Sequence, residues 1–129
     1  SETAGAVDTG RGRMIECEYD GGFYLREHAI PSDGNLLAEN NDKEVIIHKT
    51  KCDIQKTDKL FNAGVVSMGY NIYFPMPTNE SGEDKLPKGL KIGIRFRGDI
   101  CGLEVDGMVI GIEPTKLHGC VAYIKGTDI

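Results

Sequence analysis

Tryptophan is absent from the chain, as are any CxxC pair and any apolar run near the roughly 18 residues that a membrane span needs. The longest apolar stretches, such as Val45–Ile47, fall far short, and no secretory signal core is present, so the expectation is a soluble chain made in a cytoplasm. Cys17, Cys52, Cys101 and Cys120 stand far apart, which predicts four reduced, mostly buried thiols. Positive charge is also scarce: with 15 Lys and Arg against 20 Asp and Glu the net charge is −5. That balance disfavours a grip on nucleic acid through phosphates, which requires clustered cations.

Catalytic signatures are missing too. There is no GxSxG elbow, phosphate-binding Walker loop, HExxH or DxDxDG calcium loop, and the glycines follow no dinucleotide-binding spacing. Glu16 with Glu18 and Glu104 with Asp106 are carboxylates two apart, the ordinary pattern of a solvated strand face. His48 sits on an apolar row as either a ligand or base or a satisfied edge histidine, and no second His or acid stands beside it to favour the former. The reading is therefore a protein that is not an enzyme, with no catalytic residue, cofactor or metal assigned.

What the chain does contain is alternation. Val66, Met68, Tyr70, Ile72 and Phe74 share one parity, and so do Leu90, Ile92, Ile94 and Phe96 after a polar loop over Pro75–Lys88. Successive side chains of a strand point to opposite faces, so these two rows face one core. Tyr73 falls on the opposite face, where an exposed ring could stack on a base. Seventeen glycines and few aromatics fit a turn-rich β protein, and 129 residues are one domain's worth of chain.

In chain order, Ser1–Arg13 is small, polar and aperiodic, and reads as a flexible arm before a single domain over 14–129. Met14–Tyr19 reads as a first strand, Asp20-Gly21-Gly22 as a turn, and Phe23–His28 as a returning strand. Pro31–Lys43 reads as a loop with at most one helical turn around Leu36–Glu39, and Lys43–Ile54 as a long strand. Gln55–Gly64 breaks the pattern and is too long for a plain hairpin connection, so it reads either as a surface loop whose Leu60 and Phe61 fold back on the barrel or as a contact finger for another subunit. Asn79-Glu80-Ser81 and Arg97-Gly98-Asp99 match a glycosylation acceptor and an adhesion tripeptide, the second better explained as a strand-end turn. Asp106-Gly107 reads as a hairpin turn, and Cys120–Lys125 as the last strand. The sum is an all-β, small antiparallel β-barrel of about six or seven strands with long loops.

Gly69-Tyr70-Asn71-Ile72-Tyr73-Phe74-Pro75, then Leu90–Ile100 with Arg97-Gly98-Asp99-Ile100, then Tyr123–Asp128 together resemble the head-completion or head–tail joining (stopper, minor capsid) proteins of long-tailed bacteriophages. The resemblance covers Lys51–Asp128; Ser1–Arg13 and Pro31–Lys43 have no counterpart in it. It implies a structural virion subunit in a ring between the portal-bound adaptor and the tail, touching its own ring neighbours, portal or adaptor and tail proteins. Packaged DNA would pass without sequence-specific contacts, and no membrane is involved. In that family a loop before the GYxIYxP-like strand projects toward the channel, which carries over here to Lys56, Asp58, Lys59, Leu60 and Phe61 as channel or subunit contacts. The alternative is a small barrel that binds a ligand or single-stranded nucleic acid, with a basic stripe near Tyr73, Arg95 and Arg97.

Overall fold

The computed structural model describes residues 6–8, 14–28, 42–62 and 65–126, with side chains at 16–26, 43–57 and 69–126. Eight strands run in order: β1 (Ala6–Asp8), β2 (Met14–Glu16), β3 (Tyr19–His28), β4 (Asp42–Asn62), β5 (Val65–Pro75), β6 (Arg95–Ile100), β7 (Leu103–Pro114) and β8 (Gly119–Gly126). No helix occurs among the described residues. Strands β3 to β8 form one antiparallel sheet in the order β3-β4-β5-β8-β7-β6, and β6 pairs back onto β3, so the sheet closes on itself.

Alternation builds the interior. Ile72 and Phe74 on β5, Phe96 on β6, Val105 and Val109 on β7 and Ala122 and Ile124 on β8 are buried in one cluster with Phe23, Cys52 and Ile54. Phe23 lies at the centre, its ring centroid 5.2 Å from those of both Phe74 and Phe96 in tilted contact. The larger of these side chains contribute about 1.5–3 kcal/mol each by leaving water. The segment between β5 and β6 adds Met76, Leu86, Leu90 and Ile94 to the same cluster. Asn79 holds its turn, its Oδ1 accepting from the Ser81 and Glu83 amides at 3.0 and 2.9 Å.

Several expectations need correcting, each for a tertiary reason. Asp20-Gly21-Gly22 does not turn; it lies inside β3, in register with Lys51-Thr50-Lys49 on one side and Asp99-Gly98-Arg97 on the other. Gly21 is there for close approach: a Cβ on it would stand 2.7 Å from Cys52 Sγ and 2.8 Å from Phe96. Asp106-Gly107 likewise lies within β7, and the turn is Cys101-Gly102. Both of those residues have positive φ (51° and 95°), the backbone of a two-residue hairpin loop that matches strand twist. Arg97-Gly98-Asp99 is extended within β6, with Asp99 Oδ1 accepting from the Gly102 amide at 2.6 Å.

Leu90–Phe96 is not one strand. Leu90 and Ile94 are buried, but Ile92 is 66% exposed because the chain turns at 91–93, where the Gly93 amide donates to the Val109 carbonyl. On β4 a bulge opposite Phe23/Tyr24 shifts the alternation, so Ile46 faces outward while Ile47 packs against the core. Within the arm read over Ser1–Arg13, Ala6–Asp8 pairs with Met14–Glu16 as a separate two-stranded sheet. The rest of that arm and the Pro31–Lys43 loop up to residue 41 lie outside the described residues.

Candidate functional site

The segment from 55 to 64, expected as a loop, is the continuation of β4 as far as Asn62. Its 21 residues span about 70 Å at a strand's rise of roughly 3.3 Å per residue. Over Asp42–Cys52 it pairs with β3, and from Asp53 to Asn62 with β5. Strand β8 pairs with β5 only over Gly69–Pro75. The pairs Leu60↔Ser67, Phe61↔Val66 and Asn62↔Val65 therefore have no third strand beside them among the described residues, and they form a two-stranded ribbon that runs on past the closed sheet.

Lys56 lies just before the ribbon departs. It continues the inward row of Cys52 and Ile54, yet it is exposed, while its partner Tyr70 is still paired with Ile124 of β8. Beyond it, Asp58 and Lys59 fall in a bulge between Thr57↔Gly69 and Leu60↔Ser67, a local irregularity that sharpens twist and re-aims the end of the ribbon. The side chains of Asp58, Lys59, Leu60 and Phe61 lie outside the described residues. Of the other motif positions, Gly69 pairs with both Thr57 and Lys125, Tyr70 packs against the core, and Pro75 ends β5 opposite Gly119.

Tyr73 is the clearest departure from expectation. It does point outward, but it is only 7% exposed, packed with Cys17 and Val121 in a second small cluster outside the closed sheet. No stacking platform is available there. A signal for this was present in the sequence, since Tyr73 and Val121 both carry apolar bulk on the outward parity of their strands.

Arg97 and Gly98 line an open groove of about 680 Å3 on the outer face of β4, β3, β6 and β7. Ion pairs run across and beside it. Glu44 takes Arg97 in a two-pronged contact at 2.6 Å for both nitrogens and also lies 3.8 Å from Arg26. Lys51 meets Asp20 at 2.6 Å and Arg95 meets Asp106 at 3.5 Å. The Arg97 guanidinium stands 5.6 Å from the centre of the Tyr24 ring. A stripe of uncommitted cations, which a phosphate backbone would require, is thus not what Arg95 and Arg97 provide. Sequence reasoning missed Glu44, which is 53 positions from Arg97 and carries no local signal of the pairing.

His48 stacks on Phe23 at 6.4 Å and leans on Phe74 at 6.1 Å. Its Nε2 is buried with no hydrogen-bond partner among the described residues, and burial lowers its pKa from 6.5. His118 instead pairs with Asp84 at 2.5 Å in an exposed contact that ties the β7–β8 turn to the loop after β5. No group of three or more metal-ligating side chains is present among the described residues. The cysteines are all free, with Cys17, Cys52 and Cys120 buried and Cys101 exposed. Burial pushes the Cys17 thiol up to about 11 and those of Cys52 and Cys120 up to about 12. No family model matches the chain, and neither a curated protein nor a solved structure gives a significant match.

Proposed function

We propose that the closed sheet is a small β-barrel acting as a structural subunit of a bacteriophage virion, a head-completion or stopper subunit in a ring between portal or adaptor and tail. The observation that carries this reading is the ribbon. An isolated two-stranded hairpin is marginal in water, so one that extends past its barrel gains most by lying against another molecule. Its position, before Gly69–Pro75, is where the resemblance puts a projecting segment; it contains Leu60 and Phe61, with Asp58 and Lys59 in the bulge at its base and Lys56 just ahead of that bulge. A ring repeats one heterologous contact until rotation closes it, and such contacts shield edges that a lone barrel leaves open. The acidic balance, −5 in all, would let DNA slide past without sticking. On this reading the protein is made in a bacterial cytoplasm, ends in the virion and neither makes nor breaks a covalent bond.

The rival reading, a barrel that binds a ligand or single-stranded nucleic acid, is weaker. Phe23, Phe74 and Phe96 fill the interior where a ligand would sit, Tyr73 is covered, and Arg95 and Arg97 are held by acids.

Mass photometry of the protein alone and mixed with portal, adaptor and tail components tests the proposal. Recruitment into a ring is expected, and it should be lost when 57–69 is replaced by a tight Asn-Gly turn. Failure of every such partner to recruit the intact chain overturns the reading, as would salt-dependent binding of a short oligonucleotide in place of ring formation.

A further inference from the structure

The outer wall of a closed sheet is ordinarily polar, yet here one strip of it is not. On β5, Ile72 and Phe74 point inward, so Tyr73 points out; on β8, Ala122 and Ile124 point inward, so Val121 and Tyr123 point out. Register brings them together: Tyr73 is paired with Val121, and Asn71 with Tyr123. The strip is covered, since Tyr73 is 7% and Val121 3% exposed, with Cys17 fully buried against them. The cover is the N-terminal segment: β1 lies against β5 and β8, β2 lies against β4, and Cys17 Sγ donates to the Tyr73 carbonyl at 3.4 Å.

The way this cover is held differs from everything else in the fold. Strands β1 and β2 are three residues each and pair only with each other, in a sheet separate from the closed one. They share no strand ladder with the surface beneath, and only Cys17 and Glu18 separate them from β3. A two-stranded unit of this size has little stability of its own, so opening it costs far less than opening the closed sheet.

We propose that the Tyr73–Val121–Tyr123 strip is an exchangeable docking site for a β-hairpin. Residues 6–8 and 14–17 of the same chain fill it in the isolated protein, and the same residues of a second copy fill it when copies associate. The second copy is the occupant because the chain itself displays the one segment shown to fit the strip, and exchange between identical copies reproduces every contact of the closed form. Pivoting at Cys17-Glu18 then converts a loosely held cover into a link between subunits.

The test uses the protein alone and needs no virion component, so it stands apart from the test of the connector reading. One chain carries Cys101→Ser and keeps Cys17; a second, differently tagged, carries Cys17→Ser, Cys101→Ser and Val121→Cys. Oxidising the mixture should yield a covalent heterodimer through Cys17 of one and the introduced thiol of the other. Absence of that heterodimer overturns the proposal, whatever the same two positions do within one chain. Hydrogen exchange on the unmodified protein gives a second reading free of folding defects in the variants. Amides of 6–8 and 14–16 should exchange on the order of a hundredfold faster than those of β5 and β8 in dilute protein, and slow down as concentration rises. Protection equal to that of β5 and β8, independent of concentration, also overturns it.

Discussion

Replacing Gly21 by alanine separates two accounts of the same residue, a turn glycine and a packing glycine. In β3 it faces the interior, and the added methyl would lie 2.7 Å from Cys52 Sγ and 2.8 and 2.9 Å from two atoms of the Phe96 ring. Comfortable carbon contacts begin near 3.5 Å, so the core must give way. Overpacking of this kind costs about 1–3 kcal/mol, offset by the roughly 0.4–1 kcal/mol that alanine gains by restricting the unfolded chain. The net loss is about 1–2 kcal/mol, a fall of about 4–8 °C in Tm for a domain near this size. Phe96→Leu removes the ring atoms that the methyl meets and costs about 1–2 kcal/mol alone through the space it leaves. Combined, the two should cost about 1 kcal/mol less than their sum, because each relieves the other. Urea unfolding of the wild type, both single variants and the double variant closes the cycle. Strict additivity, or a stabilised Gly21→Ala, would refute the packing account, since a turn glycine has no reason to couple to Phe96.

Three further outcomes are expected from the same geometry. Of the four thiols only Cys101 should react rapidly with a thiol reagent, the other three appearing on unfolding; because the folded state holds the protons of Cys17, Cys52 and Cys120 more tightly than the unfolded value of 9.0, their stabilising contribution is intact below pH 9 and declines as pH rises toward 11–12, by up to about 1.4 kcal/mol per thiol per pH unit. A urea midpoint that climbs between pH 9 and 10.5 contradicts this. His48 titrates the other way: half-buried and lowered from 6.5, it leaves stability whole above that pH and erodes it as pH falls below, so His48→Phe should flatten the acid slope of the urea midpoint, and an unchanged slope rules His48 out as its source. Glu44→Gln releases Arg97 and Arg26 from an exposed contact and should cost no more than about 1 kcal/mol, shrinking in 0.5 M salt; a loss above about 2 kcal/mol at every salt concentration would show that the pair holds the sheet together in a way its exposure does not allow.

The filled interior and the outlying ribbon are distinct parts of the molecule. Three phenylalanines and the aliphatic rows of β5, β7 and β8 pack inside the closed sheet, while β4 and β5 run on beyond it. Strand β4 belongs to both: Asp42–Cys52 pairs with β3 and Asp53–Thr57 with β5 inside the closed sheet, and Leu60–Asn62 pairs with β5 beyond it.

The period-two row of β5 and the last strand over Cys120–Lys125 were legible without coordinates, because alternation is a local consequence of the pleat and survives whatever the strands pair with. So were the all-β class and the free thiols. Glycine was not legible in the same way: Asp20-Gly21-Gly22 and Asp106-Gly107 carry a turn's chemistry, and only the approach of Phe96 and Cys52 to Gly21, and the pairing of Gly107 with strands on both sides, shows that the missing side chain serves packing. The ribbon escaped for a related reason. Gln55–Asn62 has no hydrophobic period, and a strand of that kind is defined by its ladder to β5, a relation between distant residues. Tyr73 shows the same division: its parity placed it outside the sheet, but whether that outside is wet depended on where the N-terminal segment comes to rest. Sequence alone decides which way a side chain points along its own strand; what it meets there is decided by the partners that tertiary structure brings up against it.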